Sequence, residues 1–377
     1  MAQRISAERE QSPRRYDGID LLRFLAALSV LLFHYGFRGA AEGGYTSFQL
    51  PQITPFAQYG YLGVELFFII SGFVITMSSE GRSASAFGRS RFLRLYPAFL
   101  ISMTLTAIVA FSIGGPRFDV SFTDWLANLP LFSQLLGRPF VDGVYWSLVL
   151  EVIFYGWVGL FIRLGWFQTR RPLIIAFWLV LSLVVDATSS SKMLHRLFLT
   201  DYASLFATGM ILFDLTARRS VAKLSVLLGL ASLMSIVGVL ERASYVREVL
   251  HARLDDLVLV VILIGLHAAF LAMLYLPRLP RLAPALGMLG AVSYPLYLLH
   301  QHIGYMLLNA IGPHLPAVAA ALVVTAMLIG LSAVIAIQIE PMGRLQIGRL
   351  LDLLATAPRI LRQIPIRRAV LAAAIDA

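Results

Sequence analysis

The most constraining feature of the sequence is an apolar stretch, residues 19–37, that is long enough to cross a membrane as one helix. Its nineteen residues, at a rise of about 1.5 Å each, give a helix of roughly 28 Å, close to the thickness of a bilayer's hydrocarbon core. The stretch nevertheless contains Arg23 and His34. Ionisable side chains are costly inside a spanning helix and usually face a protein interior or a watery cavity. The first span therefore predicts a polar passage within a helix bundle.

The spacing of Arg23 and His34 has a geometric meaning. The two residues are eleven positions apart, so about 100° of rotation per residue places them within about 20° of the same helix face. Along the helix axis they are about 16 Å apart, which is too far for a direct hydrogen bond. We expect them to act at different depths of one passage.

Composition extends this interpretation to the whole chain. Of its 377 residues, 58% are hydrophobic and only 14% are charged, whereas soluble domains carry about 25% charged residues. The absence of cysteine excludes disulfides, thiolate metal sites and a cysteine nucleophile, and no metal site is predicted. The sequence predicts an all-α membrane protein, a polytopic bundle of about ten transmembrane helices. The predicted spans are 19–37, 60–79, 92–113, 144–165, 173–187, 198–215, 224–241, 254–275, 287–311 and 317–341.

The distribution of positive charge predicts the orientation. With the N-terminus placed inside, the inner connections hold 20 Lys and Arg, the outer connections hold 8, and three lie within spans. This asymmetry predicts that both termini are cytoplasmic, and it accounts for the net charge of +10 without a nucleic-acid partner. The predicted divisions are a cytoplasmic N-terminal segment (1–18), a transmembrane domain (19–342) and a basic tail (343–377) that contacts membrane lipids. The outer connection 114–143 is predicted to cover an outward cavity.

The ionisable side chains in and beside the spans fall into two layers, an inner and an outer one, according to their predicted depth. Guanidinium groups on the inner side suit an anionic, phosphorylated donor, and an imidazole near carboxylates on the outer side suits removal of a proton from a hydroxyl. The separation of about 16 Å between the two layers requires a long, flexible donor. The inner layer contains Arg23, Arg91, Arg94 and Arg163, and the outer layer contains His34, Glu65, Glu151, His300 and His302.

Six motifs in order resemble the acyltransferase 3 family of integral-membrane acyltransferases, over about residues 16–347. The resemblance implies a ten-helix protein of the bacterial inner membrane that moves an acetyl or other short acyl group from cytoplasmic acyl-CoA to a hydroxyl of an extracytoplasmic glycan, glycolipid or glycosylated small molecule. Acetyl-CoA is the foremost donor, and no tightly bound cofactor is implied. A fused C-terminal domain, which some members carry, is not seen, so we expect no two-domain relay. The motifs are RFLAALSVLLFH, GYLGVELFFIISGF, RFLRLYP, YWSLVLEVIFY, SYPLYLLHQ and IEPMGRL.

The resemblance also implies residue roles. The catalytic residues are His34, Glu151 and Arg23, and donor binding falls to Arg91 and Arg94 together with Arg23. We expect Glu65, Tyr145, Trp146 and His300 at the acceptor site. Two points stay open: His34 acts either as the general base or as a transient acyl carrier, and Glu151 orients His34, bonds the sugar or is neutral.

Each role has a structural alternative. His34 can bond a backbone carbonyl, Arg23 can pair with Asp20, and Arg91 and Arg94 can be ordinary positive-inside anchors. A rival function is a transporter or flippase for a lipid-linked sugar or an anionic metabolite, which predicts helices broken near the midplane. A third is a structural subunit of a glycan-assembly complex, which leaves the buried His and Glu unexplained.

Overall fold

The computed structural model describes residues 16–41, 44–217, 221–275 and 280–363, with side chains up to 354. Regular structure in these ranges is helical throughout, without a strand, which confirms the all-α class. Most of the predicted N-terminal segment 1–18 lies outside the described residues. The α-helices of at least seven residues are α1 (Asp17–Phe33), α2 (Gly63–Ser79), α3 (Ala84–Ile113), α4 (Phe122–Asn128), α5 (Tyr145–Arg163), α6 (Arg171–Thr188), α7 (Lys192–Phe198), α8 (Ala203–Thr216), α9 (Val221–Leu250), α10 (Asp256–Tyr275), α11 (Ala283–Leu299), α12 (His302–Ile311), α13 (Ala317–Val334) and α14 (Glu340–Gln363).

Within the described ranges, eight helices are long and apolar enough to cross a membrane, and a bent pair makes a ninth. The bent pair corresponds to the predicted span 198–215. It consists of α7 and α8, which meet at 47° beside Leu199, whose φ of +56° lies in the left-handed region. The protein is therefore a polytopic membrane protein whose spans are less regular than the predicted ten.

The predicted span 287–311 is interrupted in the middle. α11 ends at Leu299 and α12 begins at His302, so His300 lies at the break. The buried carboxylate of Asp142 accepts the backbone N–H of His302 at 2.9 Å and that of Val144 at 3.1 Å. This cap satisfies an N–H that the start of α12 leaves without a helical partner, and it fixes the position of the break.

The last span also differs from its prediction. α13 passes through a π-helical turn, Ile335–Ile339, directly into α14, so the predicted boundary at 342/343 falls within a continuous helix. Arg89 of α3 holds α14 through Asp352 at 2.9 Å and the carbonyl of Gly348 at 3.2 Å. Residues 364–377 of the predicted tail lie outside the described residues.

Two glycines allow α2 and α8 to touch through their backbones. A Cβ atom at Gly72 would lie 2.1 Å from the carbonyl oxygen of Phe206, and one at Gly209 would lie 2.0 Å from that of Ile69. Apolar surface gives no driving force between helices in lipid, so close packing of small residues has to supply the attraction. α2 and α8 form the centre of the bundle on this basis.

A buried ion cluster joins three helices on the predicted cytoplasmic side. Arg171, at the start of α6, is fully buried and donates to the carboxylates of Asp214 on α8 and Glu80 just after α2. Its guanidinium also lies 4.7 Å from the centre of the Phe167 ring. Sequence analysis placed Arg171 only among the charges of an inner connection.

The glycine contact predicts a stability difference between two equivalent substitutions. Gly209→Ala should lower the thermal unfolding temperature of the detergent-purified protein, because the new methyl group cannot fit against α2. Gly156→Ala on α5 is the matched control, since nothing lies within 4 Å of its Cβ position and alanine favours a helix by about 0.5–1 kcal/mol. Equal effects of the two substitutions would contradict this packing.

The ion cluster around Arg171 predicts a larger loss of stability. Arg171→Ala should destabilise the protein by about 3–5 kcal/mol, because it leaves Asp214 buried without its partner. Thermal unfolding of the purified variant measures the effect. The neighbouring and exposed Arg170 supplies the control, and Arg170→Ala should change stability little. A stable Arg171→Ala variant would show that the cluster does not hold these helices together.

Candidate functional site

One cavity of about 270 Å³ lies between α1, α2, α3, α5 and α11. Its lining extends from the first turns of α3, on the predicted cytoplasmic side, to the outer start of α5, so it follows the length of the bundle. The walls between are mostly apolar and aromatic. The polar and aromatic lining residues include Arg23, Phe67, Phe68, Ser71, Arg91, Arg94, Ser147, Glu151, Tyr155, Ser293, Tyr294 and Tyr297.

The inner end of the cavity is cationic. Arg91 and Arg94 line both this cavity and an adjoining depression of about 450 Å³ that Arg89 and Arg344 also line. The buried Nε of Arg91 has no hydrogen-bond partner within the described residues, so one donor of this guanidinium is available to a ligand. The structure thus brings the predicted donor-side arginines Arg91, Arg94 and Arg23 together at one end.

Glu340 at the start of α14 belongs to this mouth as well. Its carboxylate accepts Nη1 of Arg94 at 2.8 Å and also bonds Arg344. The π-helical turn before it shifts the register of the last span and directs Glu340 toward α3. An anionic ligand at Arg94 therefore has to compete with an internal carboxylate.

Glu151 lies among the arginines and not beside His34. Its Oε1 accepts the hydroxyl of Tyr155 at 2.5 Å and that of Ser71 at 3.1 Å. Arg23 and Arg91 both interact with it electrostatically. In this structure Glu151 is therefore held on the side of the arginines by Tyr155 and Ser71, and the side-chain partner of His34 is Tyr305.

His34 is buried where α1 passes into the π-helical turn His34–Arg38, a distortion that is frequent at functional sites. Its Nδ1 is 2.7 Å from the hydroxyl of Tyr305 on α12. At this nitrogen the hydrogen-bond partner is therefore a side chain and not the backbone carbonyl considered as an alternative. The ring of His300 is 5.0 Å away, centre to centre. His300 in turn contacts Tyr297, with ring centres 5.5 Å apart.

Tyr297 connects this histidine pair to the cavity. Its ring lines the cavity, and its hydroxyl is 2.8 Å from that of Ser147. His34 is not itself a lining residue, and it lies beyond the layer formed by Tyr297 and His300. The two predicted layers therefore belong to one continuous set of contacts.

The outer connection 114–143 lies over the side chains next to His34. Phe118 packs edge-on against His302, with ring centres 5.3 Å apart. Asn128 anchors the segment by accepting the N–H of Val141 at 3.2 Å, and the indole of Trp125 donates to Thr104 of α3 at 3.2 Å. The connection is a folded cover held to α3 and α12.

Glu65, predicted at the acceptor site, is used in a different contact. Arg242 of α9 donates its Nε to Glu65 at 2.9 Å and its Nη1 to the carbonyl of Asp201 at 2.6 Å. A carboxylate that is only 2% exposed needs such a partner in the membrane. The structure places Glu65 in an ion pair between α2 and α9 and outside the cavity lining.

The aromatic residues Tyr145 and Trp146, also predicted to contact the acceptor, do not line the cavity either. Ser147, Glu151 and Tyr155 share one face of α5, four residues apart, and this face forms the cavity wall. Tyr145 therefore points into the core against Phe99, with ring centres 5.2 Å apart. Trp146 packs on Tyr202, with ring centres 5.6 Å apart. Both residues lie on other faces of α5 than the one that lines the cavity.

Four residues of the site were not predicted from the sequence. Tyr155 carries a local signal, since it lies four positions after Glu151 on a helix. Asp142 stands just outside a predicted span and Glu340 at the last turn of another, where charges are ordinary. Tyr305 is 271 positions from His34, so only the tertiary structure reveals the contact.

Comparison with known proteins identifies the family of this chain. Residues 16–337, most of the chain, match a family described as an acyltransferase domain, the acyltransferase 3 family. Acyltransferase MdmB of Streptomyces mycarofaciens is 31% identical over 38% of this chain and 38% of its own. Nodulation protein 10 of Rhizobium leguminosarum bv. viciae is 27% identical over 39% and 44%.

A third relative, O-acetyltransferase OatA of Staphylococcus aureus, is 28% identical over 39% of this chain and 25% of its own. The matched segments thus span less than half the length of each of these three relatives. No solved structure matches the chain. With the family match extending over most of its length, the chain belongs to the acyltransferase 3 family.

Proposed function

We propose that the protein is a membrane O-acyltransferase. It moves an acetyl or other short acyl group from acyl-CoA on the cytoplasmic side to a hydroxyl of an extracytoplasmic glycan, glycolipid or related glycosylated acceptor. The observation that carries the proposal is the single cavity between the arginine-lined mouth and the tyrosine that contacts the histidine pair. Two relatives are named as an acyltransferase and an O-acetyltransferase. These relatives are bacterial, which supports a place in the bacterial cytoplasmic membrane.

The donor site of this proposal is the cationic mouth. Phosphate groups of acyl-CoA bind Arg91 and Arg94 through charge-assisted hydrogen bonds, and the unpartnered Nε of Arg91 offers one of them. The phosphate displaces Glu340 from Arg94. The pantetheine arm then follows the apolar and aromatic walls past Arg23 toward Tyr297.

The reaction of this proposal takes place at His34. When its Nδ1–H is donated to the oxygen of Tyr305, the lone pair of Nε2 is free to act as a base. The acceptor oxygen bonds to the thioester carbonyl carbon, its proton passes to Nε2, and the carbon–sulfur bond breaks to release the CoA thiolate. In the two-step route, Nε2 first takes the acyl group itself, with the same loss of thiolate. The acceptor oxygen then bonds to the acyl carbon, the bond from that carbon to Nε2 breaks, and the hydroxyl proton ends on Nε2.

Arg23 and Glu151 act on the donor side in this scheme. Glu151 is held by Tyr155 and Ser71 and interacts electrostatically with Arg23 and Arg91. It therefore positions the guanidinium groups for the donor. Arg23 lines the cavity along the path proposed for the pantetheine arm, where it helps to hold the donor.

A transporter remains the second candidate, because the structure contains the kind of broken helix that it predicts, at His300. Membership of an acyltransferase family favours the enzyme. Purified protein in liposomes separates the two: an acyltransferase cleaves acyl-CoA and forms an acyl ester, whereas a transporter moves its substrate unchanged.

The proposed chemistry predicts the effect of removing the imidazole. His34→Ala, at matched membrane abundance, should reduce acyl transfer to the glycan by about 10²- to 10⁴-fold, the usual contribution of a general base. Mass spectrometry of acylated surface glycans measures it. His314→Ala is the control, because His314 is exposed on the turn after α12. Normal acylation by His34→Ala would refute the role of His34.

The donor site predicts a selective change in the KM values. Arg91→Ala should raise the KM for acyl-CoA about 10- to 100-fold, since a hydrogen bond to a charged group contributes about 1.5–3 kcal/mol, and should leave the KM for the acceptor nearly unchanged. Steady-state CoA release measures both. Arg163→Ala, an exposed arginine on the same predicted side, controls for loss of surface charge. Equal increases in both KM values would argue against the donor site.

A further inference from the structure

His300 has an acceptor atom without a partner. Its side chain is fully buried, and its Nδ1 lies 2.8 Å from the carbonyl oxygen of Tyr297. Because a carbonyl only accepts hydrogen bonds, Nδ1 carries the hydrogen and Nε2 carries a lone pair. This Nε2 is buried and makes no hydrogen bond to any described residue. A buried acceptor in this state costs free energy until a hydrogen-bond donor reaches it.

The unpartnered nitrogen is next to the proposed reacting group. The rings of His300 and His34 are 5.0 Å apart and inclined by 64°. In the base form of His34, its Nδ1–H is donated to Tyr305 and its Nε2 is a lone pair as well. Two lone pairs cannot bond to each other, so the histidine pair requires two separate hydrogen-bond donors.

The backbone of His300 is held in place. Its carbonyl accepts the hydroxyl of Tyr35 at 2.9 Å, and the following helix is capped by Asp142 through the N–H of His302 at 2.9 Å. The position of Nε2 is therefore set before any ligand arrives, which is typical of a binding group and lowers the cost of recognition.

We infer that the histidine pair binds two neighbouring hydroxyl groups of one sugar, so that the acyl acceptor is a vicinal diol. This inference rests on the proposed function and names the class of its acceptor. One hydroxyl gives its proton to Nε2 of His34 and forms the ester with the acyl carbon while the CoA thiolate leaves. The adjacent hydroxyl keeps its proton and donates a hydrogen bond to Nε2 of His300. His300 is thus an acceptor-binding residue that selects which hydroxyl reacts.

Two substitutions test the role of His300 in membranes that contain the host's own glycans, at matched abundance. His300→Phe keeps a ring but no acceptor, and it should reduce acetyl-ester formation from acetyl-CoA at least tenfold without changing the KM for acetyl-CoA. His300→Gln keeps an acceptor oxygen, and it should retain most of the activity. Wild-type rates in His300→Phe would overturn the inference, and so would equal inactivity of the two variants, which indicates that His300 exchanges the proton itself.

The wild-type product supplies a test that does not depend on the folding of a variant. NMR of the acylated glycan should place the acyl group on a carbon whose neighbour carries a free hydroxyl. A product acylated beside carbons that lack a hydroxyl would overturn the diol. If the wild-type protein forms no acyl ester at all, the proposed function itself fails and the inference falls with it; if the ester forms without the diol pattern, only the inference fails.

Discussion

The free-energy cost of placing charged side chains in hydrocarbon constrains how the helices of this protein pack. A polypeptide tolerates such a group only when another group neutralises it or when a cavity solvates it. The bundle uses both solutions. Arg171 is paired with Asp214 and Glu80, and Glu65 is paired with Arg242, so these charges connect helices. Arg91 uses the second solution, because its guanidinium lines the cavity of the candidate site.

Departures from regular helices bring the site residues together. The π-helical turn His34–Arg38 begins at His34, and a second one ends just before Glu340. The break between α11 and α12 presents His300 and Tyr305 to α1. These distortions are stabilised by specific side chains, such as the cap that Asp142 provides, so they are built features of the fold and not mere flexibility.

The sequence predicts the fold class because hydrophobic length is a local property. It places Glu151 in the outer layer, whereas the structure holds Glu151 among the arginines of the inner layer. Arg23, Arg91 and Arg94, which the sequence groups in one layer by their positions in the helices, line one cavity in the structure. The sequence does not show that Glu65, Tyr145 and Trp146 lie outside the cavity lining, because depth does not determine the direction in which a side chain points around the helix. The partners Arg242 and Tyr305 are far away in the chain, and the break at His300 interrupts a continuous apolar run, so neither leaves a local pattern.

The central claim is that one passage joins the arginines at the inner mouth to the histidine pair at the outer end. Cryo-EM of the wild-type protein with a non-cleavable thioether analogue of acetyl-CoA tests it most directly. The account predicts nucleotide density at Arg91 and Arg94, with the acyl end beside Tyr297 and directed toward His34. Nucleotide density at another surface, or an acyl end that leaves the bundle toward lipid, would contradict it.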